Sequence, residues 1–294
     1  MDRNQITGLL LISAMLIGYL YFFSDQREAV EEKNKPSEEQ VENDNSAVEI
    51  EEKPAESAAI VQSDTIAPTD STQISREQSK WGELYAFTSG NEKVHSLNND
   101  FISVQISNLG ASINRVLLKK HKTYEKDTLV LLDKDNHEMH WILKSKSGDD
   151  LHLDKLYYKA RFKKDESGQT LTLSAQSNGG KIEHRYYLAK KSHIVDYQIN
   201  ITGFDDFINR NDNVVFNWTE DLMRYENVLE QSRNHTAVNY FDTKGDFNDV
   251  SNDTDPERVT ESGVNDIKWF SMKQKYFNSG FISQIPMSNG EFWS

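Results

Sequence analysis

From about Trp81 onward the chain alternates apolar and polar residues with a period of two. In FISVQIS, Ile102, Val104 and Ile106 fall on one side, and Ser103, Gln105 and Ser107 on the other. TLTLSA aligns Leu171, Leu173 and Ala175, and KIEHRYYL aligns Ile182, His184, Tyr186 and Leu188. VDYQINIT sets Val195, Tyr197, Ile199 and Ile201 against Asp196, Gln198, Asn200 and Thr202. NVVFNWT places Val214, Phe216 and Trp218 together. Successive residues of a strand point to opposite faces, so each segment reads as a half-buried β-strand. Ile267 to Met272 and Phe277 to Ile285 read as further strands.

Turn signals separate these segments: Asn108-Leu109-Gly110, Ser147-Gly148-Asp149-Asp150, Glu166-Ser167-Gly168 and Ser177-Asn178-Gly179-Gly180. Many short strands with polar connections predict a mainly β, antiparallel sandwich. A parallel α/β sheet needs alternating strands and helices, and no such pattern is present. Glu220 to Asn234 reads as either a helix or an irregular edge, and Asp242 to Asp266 as a long surface loop. Ser294 follows the last expected strand without a closing element, which predicts a C-terminally truncated sandwich.

One other stretch stands apart. Ile6 to Phe23, ITGLLLISAMLIGYLYFF, is 18 residues without a charge. As a helix it would rise roughly 27 Å, close to the ~30 Å hydrocarbon core of a bilayer. Tyr19, Tyr21, Phe22 and Phe23 cluster at one end, as rings do at a membrane–water interface. The run exceeds the h-region of a signal peptide, and Ser24-Asp25-Gln26 is a poor cleavage site, so an uncleaved anchor is expected. The chain has no Cys, which excludes a lipoprotein attachment and any disulfide. Arg3 and Arg27 bracket the run and barely decide its direction; the acidic tail after it favours export.

The net charge of -14 is uneven. Residues 24–79 hold 15 acidic and 5 basic side chains, a net of -10. That run is Pro-containing and poor in aromatics, so it cannot bury enough surface to offset ordering, and a disordered acidic linker is expected. Residues 80–294 carry the remaining balance of about -4, with no basic face that would suit nucleic acid.

Candidate chemistry is sparse. His137-Glu138-Met139-His140 has metal-like spacing, but a turn running into a strand puts i and i+3 on opposite faces. Asn248 to Asp255 is acidic like a calcium loop but lacks the alternating ligands, central Gly and closing Glu. Glu220-Asp221 is the best pair of carboxylates, yet neighbours on a strand point apart. Asn217-Trp218-Thr219, Asn234-His235-Thr236 and Asn252-Asp253-Thr254 match the glycosylation triplet at the rate chance allows. No catalytic residue, cofactor site or metal ligand is assigned on this basis.

Four segments carry a family resemblance. MDRNQITGLLLISAMLIGYLYFF resembles the first membrane span of bacterial YidC-type (Oxa family) membrane protein insertases, particularly those of Bacteroidetes. LNNDFISVQISNLGASINRVLLKKHKTYEKDTLVLLD resembles the opening strands of their large periplasmic domain. VVFNWTEDLMRYE and VNDIKWFSMKQKYFNSGFI resemble two later segments, in the family's order. Where the family often has Gly-Gly after the first strand, this chain has Gly110-Ala111, which still leaves Gly110 for a positive φ.

The resemblance implies a fold and a job. The fold is a β-supersandwich, similar to galactose mutarotase, over residues 80–294, behind an anchor at 1–23 and a linker at 24–79. The implied location is the cell inner membrane, N-terminus cytoplasmic and main domain periplasmic. The implied activity is assistance to insertion, folding and assembly of integral membrane proteins, without covalent chemistry. Implied partners are the Sec translocon and its accessory subunits, nascent membrane proteins and the lipid bilayer. After Phe23 no further apolar run approaches 18 residues, so the family's C-terminal insertase core is not in this sequence. Two alternatives stand beside this reading. One is a membrane-anchored periplasmic carbohydrate-binding module, which predicts an exposed aromatic platform on one sheet face; the other is the ectodomain of a sensor or assembly factor.

Overall fold

The computed structural model describes residues 71–250 and 260–294. The apolar run Ile6 to Phe23 and most of the acidic linker lie outside them. Among the described residues no helix is long and apolar enough to cross a membrane. Helix α1 (Ser71–Trp81) straddles the boundary placed at residues 79/80, and a 3-10 turn (Gly82–Phe87) continues it. Trp81 and Leu84 from this pair are buried in the main core, which ties this segment to the sheets ahead of the first strand.

Seventeen strands follow, and every strand pairing among the described residues is antiparallel. The first sheet joins β1 (Val94–Asn98), β2 (Ile102–Ser107), β3 (Ile113–Lys122) and β4 (Thr128–Asp133) in that order. A second runs β10-β9-β8-β7, built from β7 (Lys159–Lys164), β8 (Gly168–Gln176), β9 (Gly180–Ala189) and β10 (Val195–Gly203). A third is β11-β5-β6, with β5 (His137–Lys144), β6 (Asp150–His152) and β11 (Val215–Glu220). The fourth is β13-β12-β15-β16, from β12 (Ala237–Asp242), β13 (Phe247–Val250), β15 (Ile267–Lys273) and β16 (Asn278–Met287). β14 (Thr260–Val264) pairs with β17 (Gly290–Trp293).

The alternation read from sequence maps onto burial. Leu171, Leu173 and Ala175 on β8 are fully buried, as are Ile182 and His184 on β9. They join Leu97, Val104, Ile106, Leu129, Leu151 and Leu153 in one core shared by the first three sheets. A separate, smaller core gathers Tyr240, Val250, Ile267 and Phe292.

Three readings need correction. Asp242 to Asp266 is not one loop, because its ends carry β13 and β14; the paired apolar signal among the described residues there is Phe247, Val250 and Val264 among polar and acidic neighbours. The last residues do hold a pairing element, β17. Val214 precedes β11 and is exposed, so it does not share the buried face of Phe216 and Trp218. The ambiguous stretch after Glu220 is irregular apart from the short helix α2 (Leu229–Arg233).

At the turn after β2, Gly110 has φ +73°, and a Cβ there would meet Asp154 Cα at 2.8 Å. Ala111 also takes positive φ, +50°, and its carbonyl accepts a hydrogen bond from Tyr186 Oη at 2.5 Å. The second position of that turn therefore keeps the left-handed geometry without a glycine, held by a buried partner.

Candidate functional site

Two places gather the functional-type side chains: a cleft beside β5, and the seam where β11 meets β16. The cleft, about 780 Å³, is walled by α1, the β2–β3 turn, the start of β5 and the 3-10 turn Leu153–Lys155. Its lining mixes Trp81, Met139 and Tyr157 with Glu77, Lys80, His140, His152 and Asp154. Trp81 Nε1 donates to Glu77 Oε2 at 3.1 Å, which fixes the indole against the helix.

The cleft holds the His137-Glu138-Met139-His140 segment, and the strand separates its two histidines. His137 is buried, with Nδ1 2.6 Å from the Asp133 carbonyl and Nε2 2.7 Å from the Ile113 carbonyl. Both ring nitrogens are thus engaged by backbone. His140 is half-buried, its ring centroid 5.6 Å from that of His152. His152 Nδ1 lies 3.7 Å from Asp154 Oδ1, and Asp154 also pairs with Lys155. Among the described residues no three His, Asp or Glu side chains converge in a metal-holding group. The cleft sets hydrogen-bonding groups beside Tyr157 and the buried Trp81.

Glu220 and Asp221 are split by the strand as their adjacency requires. Asp221 is exposed, and its backbone N–H donates to the Asn136 carbonyl. Glu220 turns inward toward Ser279 of β16, but neither carboxylate oxygen makes a hydrogen bond of full geometry. Burial dominates, and it pushes this carboxyl up from 4.5 to about 8, so the group is protonated at neutral pH. Around it the seam is aromatic. Phe216 lies 4.8 Å from Phe281 and 6.2 Å from Phe270, and Trp218 meets Phe270 edge-on at 6.0 Å. Tyr225 closes one side, its hydroxyl donating to the Val130 carbonyl at 2.7 Å.

His184, which the alternation placed on an inward face, is a core residue. Its Nδ1 lies 2.7 Å from Tyr197 Oη, and burial lowers its pKa to about 3, so the ring is neutral. Asn217 and Asn234 of the glycosylation triplets are exposed; Asn252, with Ser251 to Asp255 of the acidic stretch, lies outside the described residues. Glu220's isolation was invisible in sequence, because the residue that faces it, Ser279, is 59 positions away (279 − 220) on a strand of another sheet.

These features define a mainly β, antiparallel domain with recognition surfaces, and comparison with known proteins places it. Residues 95–292 match the profile of the YidC periplasmic domain, and the chain belongs to that family. It is 32% identical over 287 residues to the membrane protein insertase YidC of Cytophaga hutchinsonii, covering 96% of this chain and 42% of that protein. The proteins of the same name from Parabacteroides distasonis and Chloroherpeton thalassium are each 25% identical, with 97% of this chain covered and 44% and 47% of theirs. The chain therefore spans a little under half the length of these relatives.

Proposed function

We propose that this chain is the amino-terminal part of a membrane protein insertase. In this reading Ile6 to Phe23 crosses the cell inner membrane with residues 1–5 cytoplasmic. Residues 24–79 are an acidic tether, and residues 80–294 form a periplasmic β-supersandwich of the galactose mutarotase type. The whole protein assists apolar segments of nascent membrane proteins into lipid, and catalyses no covalent step. A polar path for their hydrophilic flanks would lower a transfer cost that is large in hydrocarbon. The β domain serves as a docking surface for accessory subunits of the Sec translocon.

The observation that carries this reading is the family match over 95–292 together with a likeness to the relatives that extends over 96–99% of the chain, beyond the β domain alone. The test is the reading frame beyond Ser294. Several apolar runs of about 20 residues are expected there. A stop codon directly after Ser294 in intact genomic DNA would overturn the reading for this chain.

A further inference from the structure

The outward face of the fourth sheet carries an apolar row that belongs to neither core. Phe247 on β13 pairs with Phe241 on β12, Phe241 with Trp269 on β15, and Trp269 with Ile282 on β16. Residues directly opposite across strands share a face, so the four form one line across the whole sheet. The Phe241 and Trp269 rings stack at 5.7 Å and 9°, and Phe247 tilts onto Trp269 at 6.1 Å. Phe247 is 57% exposed and Ile282 73% exposed. A bulge in the β15–β16 pairing, beside the row, presents Ile285, 76% exposed. The other face of the same strands is spent on Tyr240, Phe270 and Phe281, which pack inward.

We propose that this row is a contact surface for the interfacial zone of a lipid bilayer. Three observations choose lipid. The row itself is Phe, Phe, Trp and Ile, with no hydroxyl or carboxyl to hydrogen-bond a sugar. In the next row Asn239 Oδ1 and Ser271 Oγ are buried, and Asp249, paired with Asn239, is the one exposed polar side chain. Aromatic rings with a lysine beside them suit the headgroup region, and Lys268 Nζ lies 5.6 Å from the Phe241 ring centre. Finally, residues outside the described structure include the uncharged run Ile6 to Phe23. A domain tethered by such an anchor meets the bilayer at high effective concentration, so a small apolar strip is enough. Asp246 and Asp249 flank Phe247, so the contact is expected to favour zwitterionic over anionic lipid.

The inference rests on the proposed anchor, and the test separates the two. The chain has no Cys, so single-cysteine variants of the full chain take one nitroxide each. Sites are Ile282→Cys and Phe247→Cys on the row, Gln198→Cys on the exposed face of β10, and Leu16→Cys within the apolar run. In zwitterionic phosphatidylcholine vesicles the row probes are expected to favour oxygen over a polar nickel relaxant several-fold more than the Gln198 probe. Adding Trp269→Ser should erase most of that difference while the circular dichroism spectrum stays unchanged. Lipid contact at Leu16 with aqueous readings at both row sites would overturn the inference and leave the anchor standing. Dipolar broadening between copies at position 282 would overturn it in favour of self-association, and loss of the row signal on adding a glycan library in favour of sugar binding.

Discussion

The two halves of the β domain are made of different material. The sheets of β1–β4 and β7–β10 close on a core of aliphatic side chains, with Leu97, Leu129, Leu171, Leu173 and Ile182 fully buried. The β13-β12-β15-β16 sheet meets β11 through rings, Phe270 and Phe281 against Phe216 and Trp218. Its other face exposes rings to solvent. An aliphatic interior gives close packing and a steep loss when atoms are removed. An aromatic seam of partly buried rings gives less stability per side chain, and large flat surfaces that suit contact. The first half is the scaffold, and the second is the part shaped for meeting something else.

That contrast ranks the effects of mutation. Leu173→Ala should cost about 3 kcal/mol in urea unfolding, since it opens a cavity in the closed core. Phe270→Ala, which removes the hub of the seam, should cost less, about 2 kcal/mol, because its ring is only partly buried. Equal losses at the two sites would erase the distinction between scaffold and seam.

Glu220 sharpens it through pH. Folding raises its carboxyl from 4.5 to about 8, so the folded state holds this proton more tightly than the unfolded state. Its contribution is fully present below about pH 4.5, falls as pH rises toward about 8, and is flat above that. Glu220→Gln should remove that slope and raise the melting temperature at pH 8 more than at pH 5. An unchanged slope in the variant would place the carboxyl in water. The smallest effect is expected at the exposed row: Phe247→Ser should change stability by less than about 0.5 kcal/mol, in either direction.

How much of this could be read from the chain follows the same division. β2, β8, β9, β10 and β11 announced themselves, because a half-buried strand writes its burial as alternation. β7 did not: in KARFKK every residue is exposed, so no face is marked. β13 and β14 hid in an acidic stretch because they are short and hold few apolar residues. His137 is held by two backbone carbonyls while His140 lies near His152, and both line one cleft. What the linear chain could not supply was the meeting of distant strands. The row exists only through register between residues 35 positions apart (282 − 247), and the seam at Glu220 through a contact across 59 (279 − 220). The family, by contrast, was legible from four ordered segments, and the profile match over 95–292 bears it out.

The most direct test of the account is membrane insertion itself. The full-length product of this reading frame would be depleted in its own host, and newly made inner-membrane proteins pulse-labelled and probed with protease from the periplasmic side. The account predicts that short translocated segments of these proteins fail to reach the periplasm on depletion, while export of soluble proteins continues. Insertion at the undepleted rate, with the product gone, would contradict it.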